Sequence, residues 1–147
     1  MLGKFKPVGF ASAGLLLVGC GSAYDEPLDS PYRLVAADTM EQMMICSSVP
    51  EDDSVCEGIG LPFGTVFAAG ANERYLVAAI RRPQVELGPP SSRRGPEEYY
   101  YIVRTPDEGQ RGLPQKNIVG PHTAEEFERV RRELNLPGFS HQFAELR

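Results

Sequence analysis

Few side chains in this sequence could carry out acid–base, nucleophilic or metal chemistry. The 147 residues include two histidines, three cysteines and no tryptophan. Ser140 and His141 are neighbours in the chain, and this spacing does not by itself align a hydroxyl with a base for proton transfer. Gly58, Gly60 and Gly64 precede a predicted strand, whereas the glycines of a phosphate-binding loop follow one. We therefore expect no catalytic residues, no metal or cofactor site and no enzyme activity.

The N-terminal segment has the composition of an export signal. Lys4 and Lys6 form a basic start, and an apolar run covers residues 8–18. This run is much shorter than the roughly 20 residues that span a bilayer, but it has the length of a signal-peptide core. We therefore expect the segment to direct the protein out of the cytoplasm.

The apolar run ends in the sequence Leu-Val-Gly-Cys at residues 17–20, which resembles the lipobox of bacterial lipoproteins. The resemblance implies a diacylglycerol on the Cys20 thiol, cleavage after Gly19 and acylation of the new amino terminus. Together these acyl chains would anchor the protein stably in a lipid bilayer. The alternative is an ordinary secretory signal with a cysteine near the cleavage site. In lipoproteins, a residue other than Asp after the cysteine, here Gly21, favours the outer membrane where the cell has one.

Cleavage at this site would divide the chain into three parts. Residues 1–19 form the signal peptide, residues 20–31 a lipidated and flexible tether, and residues 32–147 a single folded domain. The mature chain would have 128 residues, and losing two lysines but no acid would change the formal net charge from −5 to −7. Such an acidic protein is not expected to bind nucleic acid through a basic surface.

The other two cysteines, Cys46 and Cys56, form an even pair outside the cytoplasm. A disulfide is the default expectation there, and its loop entropy would contribute roughly 2.5–3 kcal/mol. A redox pair or a metal site are the alternatives, but the spacing is not Cys-x-x-Cys and no histidine lies nearby. Glu51, Asp52 and Asp53 between them suggest calcium, although they lack the alternating ligands of a known calcium loop.

Apolar alternation and turn residues predict a mostly β domain. The expected strands are residues 32–37, 43–46, 65–69, 74–81 and 99–104. Residues 74–81 are apolar on both faces and should form a central strand, whereas residues 82–98 are rich in proline and should form a loop. We therefore predict an α+β fold, with an antiparallel sheet of four to six strands packed by a C-terminal helix.

That helix should begin after Thr123. Thr123 and Glu126 have the spacing of a capping box. Phe127, Val130 and Leu134 then form one apolar stripe that can lie on a sheet.

In this arrangement the chain resembles a family of small bacterial lipoproteins known only as a domain of unknown function. The shared features are Tyr-x-Leu at 32–34, a hydrophobic strand at 74–80, Tyr-Tyr-Ile at 100–102, Gly-Pro-x-Thr-x-Glu-Glu-Phe at 120–127 and Arg-Glu-Leu at 132–134. The chain departs from the pattern in the proline-rich insertion at 82–98 and in the bridged acidic turn. The family implies no activity, so no catalytic residue is carried over.

Two functions are compatible with these observations. The first is a membrane-anchored binding or envelope-structural module, with the bilayer as partner through Cys20 and a further protein partner unknown. The second is a periplasmic immunity or inhibitor protein that acts against a toxin or hydrolase. The aromatic run at 99–101 could form a platform for a glycan or peptide, but we expect it to bury two rings and expose one.

Overall fold

The computed structural model describes residues 21–84, 95–106 and 117–147. Nine strands and one α-helix are found in these residues. In chain order they are β1 (Tyr24–Asp29), β2 (Tyr32–Ala36), β3 (Met44–Val49), β4 (Asp52–Gly58), β5 (Thr65–Ala71), β6 (Tyr75–Arg81), β7 (Glu97–Val103), β8 (Ile118–His122), α1 (Ala124–Leu134) and β9 (His141–Gln142). Short 3-10 helices lie at Met40–Gln42 and Ala144–Leu146.

The strands form two antiparallel sheets. The first has the order β1-β2-β3-β4 and the second the order β8-β7-β6-β5-β9. The predicted α+β class and the C-terminal helix are confirmed, but the strands are divided between two sheets that share one core. The central position of β6 in the second sheet is also confirmed, and its residues from Tyr75 to Ile80 are buried on both faces.

The prediction of a flexible tether over residues 20–31 was wrong for Tyr24–Asp29, because these residues form the outer strand β1. Pro27 lacks an N–H but is tolerated because an outer strand needs hydrogen bonds on one side only. An ion pair of 2.6 Å between Asp25 and Arg33 joins β1 to β2. The folded part of the chain therefore begins before residue 32.

The predicted loop at 82–98 also has different bounds. Glu97 and Glu98 belong to β7, and residues 85–94 lie outside the described residues, as do the signal peptide and Cys20.

The helix α1 has the predicted N-terminus. Thr123 Oγ1 accepts a hydrogen bond of 3.2 Å from Glu126 N, and Glu126 Oε2 accepts one of 2.9 Å from Thr123 N. Asn135 ends the helix in the left-handed conformation, with φ of 52°, and donates to Arg131 O. The helix therefore ends at Asn135, two residues before Pro137.

Phe127 fixes α1 on the second sheet. Its ring is 1% exposed and lies 5.5 Å from that of Tyr99 and 5.6 Å from that of Phe139. Val130 is partly buried and Leu134 is exposed, so the apolar stripe is anchored mainly at its first member. No helix within the described ranges is both long and apolar enough to cross a membrane.

The two sheets are joined at both ends. At one end, Val66 N donates to Met43 O at 2.9 Å, and Thr65 Oγ1 donates to Glu41 O at 2.5 Å. At the other end, Arg104 donates to Asp29 and to the Ser30 carbonyl oxygen. The first of these ends holds the candidate functional site.

Candidate binding groove

A groove of about 930 Å³ lies where the two sheets end together. In the first sheet, the end of β2, the start of β3 and the end of β4 meet at this edge because the strands are antiparallel. In the second sheet, β5 begins here and β6 ends. Residues 59–64 connect the two sheets across this end and line the groove. The volume falls within the roughly 300–1,000 Å³ that is usual for small-molecule sites.

The floor of the groove is apolar. Ile45, Ile59, Val66 and Ile80 line it and are buried. They belong to the core that both sheets share, so the groove is an opening into that core.

Two large apolar side chains stand exposed among the lining residues. Phe63 is 82% exposed and Met44 is 42% exposed. Gly64 lets the connecting segment approach β6 closely, because a Cβ atom there would lie 2.7 Å from the Arg81 carbonyl oxygen. The segment 59–64 is therefore held against β6. We call the exposed rim of the groove at Phe63 and Met44 the mouth.

Charged residues of both signs also line the groove. Asp38 and Glu41 follow β2, Arg81 ends β6 and Arg82 follows it. Arg81 donates to the Gly95 carbonyl oxygen at 2.8 Å, so part of its hydrogen-bonding capacity is used within the wall. Buried Arg81 Nε and Arg82 Nη1 have no hydrogen-bond partner among the described residues.

Glu97 balances the Arg81 charge. Its carboxylate lies 2.8 Å from Arg81 Nη2 and accepts a 3.0 Å hydrogen bond from the Tyr99 hydroxyl. Burial raises the pKa of Glu97, but the hydrogen bonds from Tyr99 and Arg147 and the charges of Arg147 and Arg81 outweigh it, so the pKa lies below its ordinary value. Burial and the Glu97 carboxylate raise the pKa of Tyr99. At neutral pH, Arg81 is therefore backed by an ionised Glu97 carboxylate beside a neutral Tyr99 phenol, and neither Glu97 nor Tyr99 lines the groove.

The predicted disulfide is confirmed. Cys46 and Cys56 are bonded, with their Cα atoms 5.5 Å apart, across the hairpin of β3 and β4. The bridge lies outside the groove lining, although Cys46 follows the lining residue Ile45. It therefore stabilises the hairpin that supplies one wall.

The other candidates stand apart from the groove. Asp52 accepts hydrogen bonds from the backbone and hydroxyl of Ser54, and no group of three His, Cys, Asp or Glu residues that could hold a cation occurs in the described part of the chain. Ser140 Oγ lies 3.1 Å from His141 Nδ1, at the outer strand β9. Neither set lines the groove.

The aromatic run at 99–101 behaves as expected. Tyr99 and Tyr100 are buried, and Tyr101 is partly exposed. Tyr101 stacks on the His122 ring, with centroids 6.0 Å apart. The run therefore contributes mainly to the core.

Sequence reasoning missed the groove itself. From the sequence we considered the segment 58–64 only for its glycines, which do not have the position of a phosphate-binding loop. The available signal was Phe63, a large aromatic residue between a proline and a glycine in a segment too short to bury it.

The chain matches no family model, no curated protein and no solved structure. The resemblance to lipoproteins of unknown function therefore stays a prediction.

Proposed function

We propose that this protein is a lipid-anchored binding module of the bacterial cell envelope, held at the membrane by Cys20 and binding an apolar ligand in the groove. The observation that carries the binding function is the opening of about 930 Å³ between the sheet ends. Its apolar floor supplies contact area, and its few charged residues can orient a ligand, which is the usual composition of small-molecule sites.

The exposed mouth supports the same function. Full burial of a side chain such as Phe63 or Met44 contributes roughly 1.5–3 kcal/mol. In the free protein Phe63 is 82% exposed, so most of this favourable burial free energy is not realised for its side chain. A ligand that covers both side chains would recover part of it, so the groove favours an apolar occupant.

Filling the groove tests this function. A Cβ atom at Gly58 would meet only Met44 Cε within 4 Å, at 3.4 Å, so Gly58→Leu adds volume among the lining residues without a backbone contact. The probe is anilinonaphthalene sulfonate, titrated by fluorescence into the unlipidated protein of residues 21–147. We expect Gly58→Leu to weaken binding by about tenfold, which corresponds to about 1.4 kcal/mol.

Gly138→Leu is the matched control. A Cβ atom at Gly138 meets nothing within 4 Å, and Gly138 does not line the groove. This variant should bind the probe as the unchanged protein does. Equal affinities for both variants, or no binding by the unchanged protein, would contradict a binding function for the groove.

A further inference from the structure

The mouth of the groove and the start of the folded chain lie at the same end of the molecule. Ala23 N donates to the Ala37 carbonyl oxygen at 3.1 Å, and Ala37 lines the groove. Tyr24 pairs with Ala36 in the same register. The chain therefore enters the fold beside the mouth.

This position limits the distance between the mouth and an anchored Cys20. Cys20 precedes Ala23 by three residues, and three extended residues span at most about 11 Å. A bilayer that holds Cys20 would then lie close to the end of the molecule where Phe63 and Met44 are exposed. Aromatic and long apolar side chains are the kind that partition into the boundary between headgroups and acyl chains.

The charges of the lining residues indicate whether electrostatic attraction would contribute to contact between the groove and a bilayer. Among the lining residues that the structure describes, Asp38 and Glu41 match Arg81 and Arg82 in number, so these residues supply no excess of positive charge that would attract anionic headgroups. Contact with a bilayer would depend on the apolar rim and floor, and it should persist at high salt.

We propose that the groove opens onto the bilayer that holds Cys20 and takes up an acyl chain of a bilayer lipid. The proposal rests on the proposed binding function and names its ligand. The floor of Ile45, Ile59, Val66 and Ile80 contacts the acyl chain, and Phe63 and Met44 lie in the bilayer interface around it.

The absence of tryptophan from the chain allows a direct test. Phe63→Trp introduces a single indole at the mouth. Val103→Trp is the control, because Val103 is 41% exposed and pairs with Tyr75 at the opposite end of β6 from the groove. Each full-length protein is matured in a lipoprotein-processing bacterium and reconstituted into phosphatidylcholine vesicles, with or without bromine in the acyl chains.

We expect brominated lipid to remove most of the F63W emission, also at high salt, and to leave the V103W emission unchanged. Adding Gly58→Leu to F63W should restore part of the emission, because the leucine excludes the acyl chain from the groove while the surrounding bilayer lipids still quench the indole. Adding Gly138→Leu should not.

Several results would overturn the proposal. They are failure of the protein to float with vesicles, no quenching of F63W, equal quenching of F63W and V103W, or quenching that Gly58→Leu does not change. If anilinonaphthalene sulfonate still binds the groove in any of these cases, the binding function of the groove stands and the lipid assignment fails; failure to float would in addition remove the Cys20 anchor. Absence of probe binding would remove both.

Discussion

Truncation of Phe127 to alanine tests how the helix is attached to the second sheet. The Phe127 side chain is 1% exposed and contacts the rings of Tyr99 and Phe139. Replacing a buried phenylalanine with alanine costs about 3–5 kcal/mol, because burial is lost and a cavity remains. Alanine is the better helix former, which offsets roughly 0.5 kcal/mol of this cost. The free energy of unfolding should therefore fall by about 3–4 kcal/mol.

Urea denaturation of the unlipidated protein, followed by circular dichroism, measures this loss. With an m-value of about 2 kcal/mol per molar, the midpoint should fall by roughly 1.5–2 M. Leu134→Ala is the matched control on the same helix, since Leu134 is 37% exposed and surface changes usually stay within about 0.5 kcal/mol. Similar small shifts for both variants would show that Phe127 does not anchor the helix as described.

Three further predictions concern the lipid anchor at Cys20, the disulfide between Cys46 and Cys56, and the Glu97 carboxylate. Cys20→Ala should release the protein from the membrane fraction, and its continued presence there after cell fractionation would contradict the lipobox interpretation. Replacing both Cys46 and Cys56 with serine should lower the free energy of unfolding by roughly 2.5–3 kcal/mol through loop entropy, whereas an unchanged urea midpoint would show that the bridge adds no stability. The pKa of Glu97 is lower in the folded protein than in the unfolded chain. The ionised carboxylate therefore adds to the free energy of unfolding above the pKa of the unfolded chain, and this stabilisation is lost as the pH falls through the pKa of the folded protein. Thermal melts from neutral to acidic pH should therefore show a smaller loss of stability in Glu97→Gln, and identical pH profiles would refute this role.

Local patterns predicted the parts of the fold that depend on neighbouring residues. The capping box of Thr123 and Glu126 was predictable because both partners lie within one helical turn. The central strand β6 was predictable because both of its faces are apolar. The disulfide required only two cysteines and an oxidising compartment.

The outer strand β1 could not be identified from the same patterns. Pro27 and three acids give the segment Tyr24–Asp29 the composition of a tether. Its partly buried Tyr24 and Leu28 pack against the core in a strand that pairs with β2. Tertiary pairing therefore overrides a local sequence that does not favour a strand.

The groove was beyond sequence reasoning for a similar reason. Its lining comes from both sheets, in segments that run from Val35 to Gly95. Nothing in the periodicity of one strand indicates that two sheets will end together and leave an opening. Phe63 is the residue whose type and setting could have suggested an exposed apolar site.

The outer strands of the two described sheets also affect how copies of the protein behave beside one another. Pro27 lies in β1, Asp52 and Glu57 lie in β4, Pro121 lies in β8, and β9 has only two residues. Proline, acidic side chains and short length all hinder the addition of a strand from a second chain. Copies concentrated on one surface should therefore remain dispersed rather than join edge to edge into fibres.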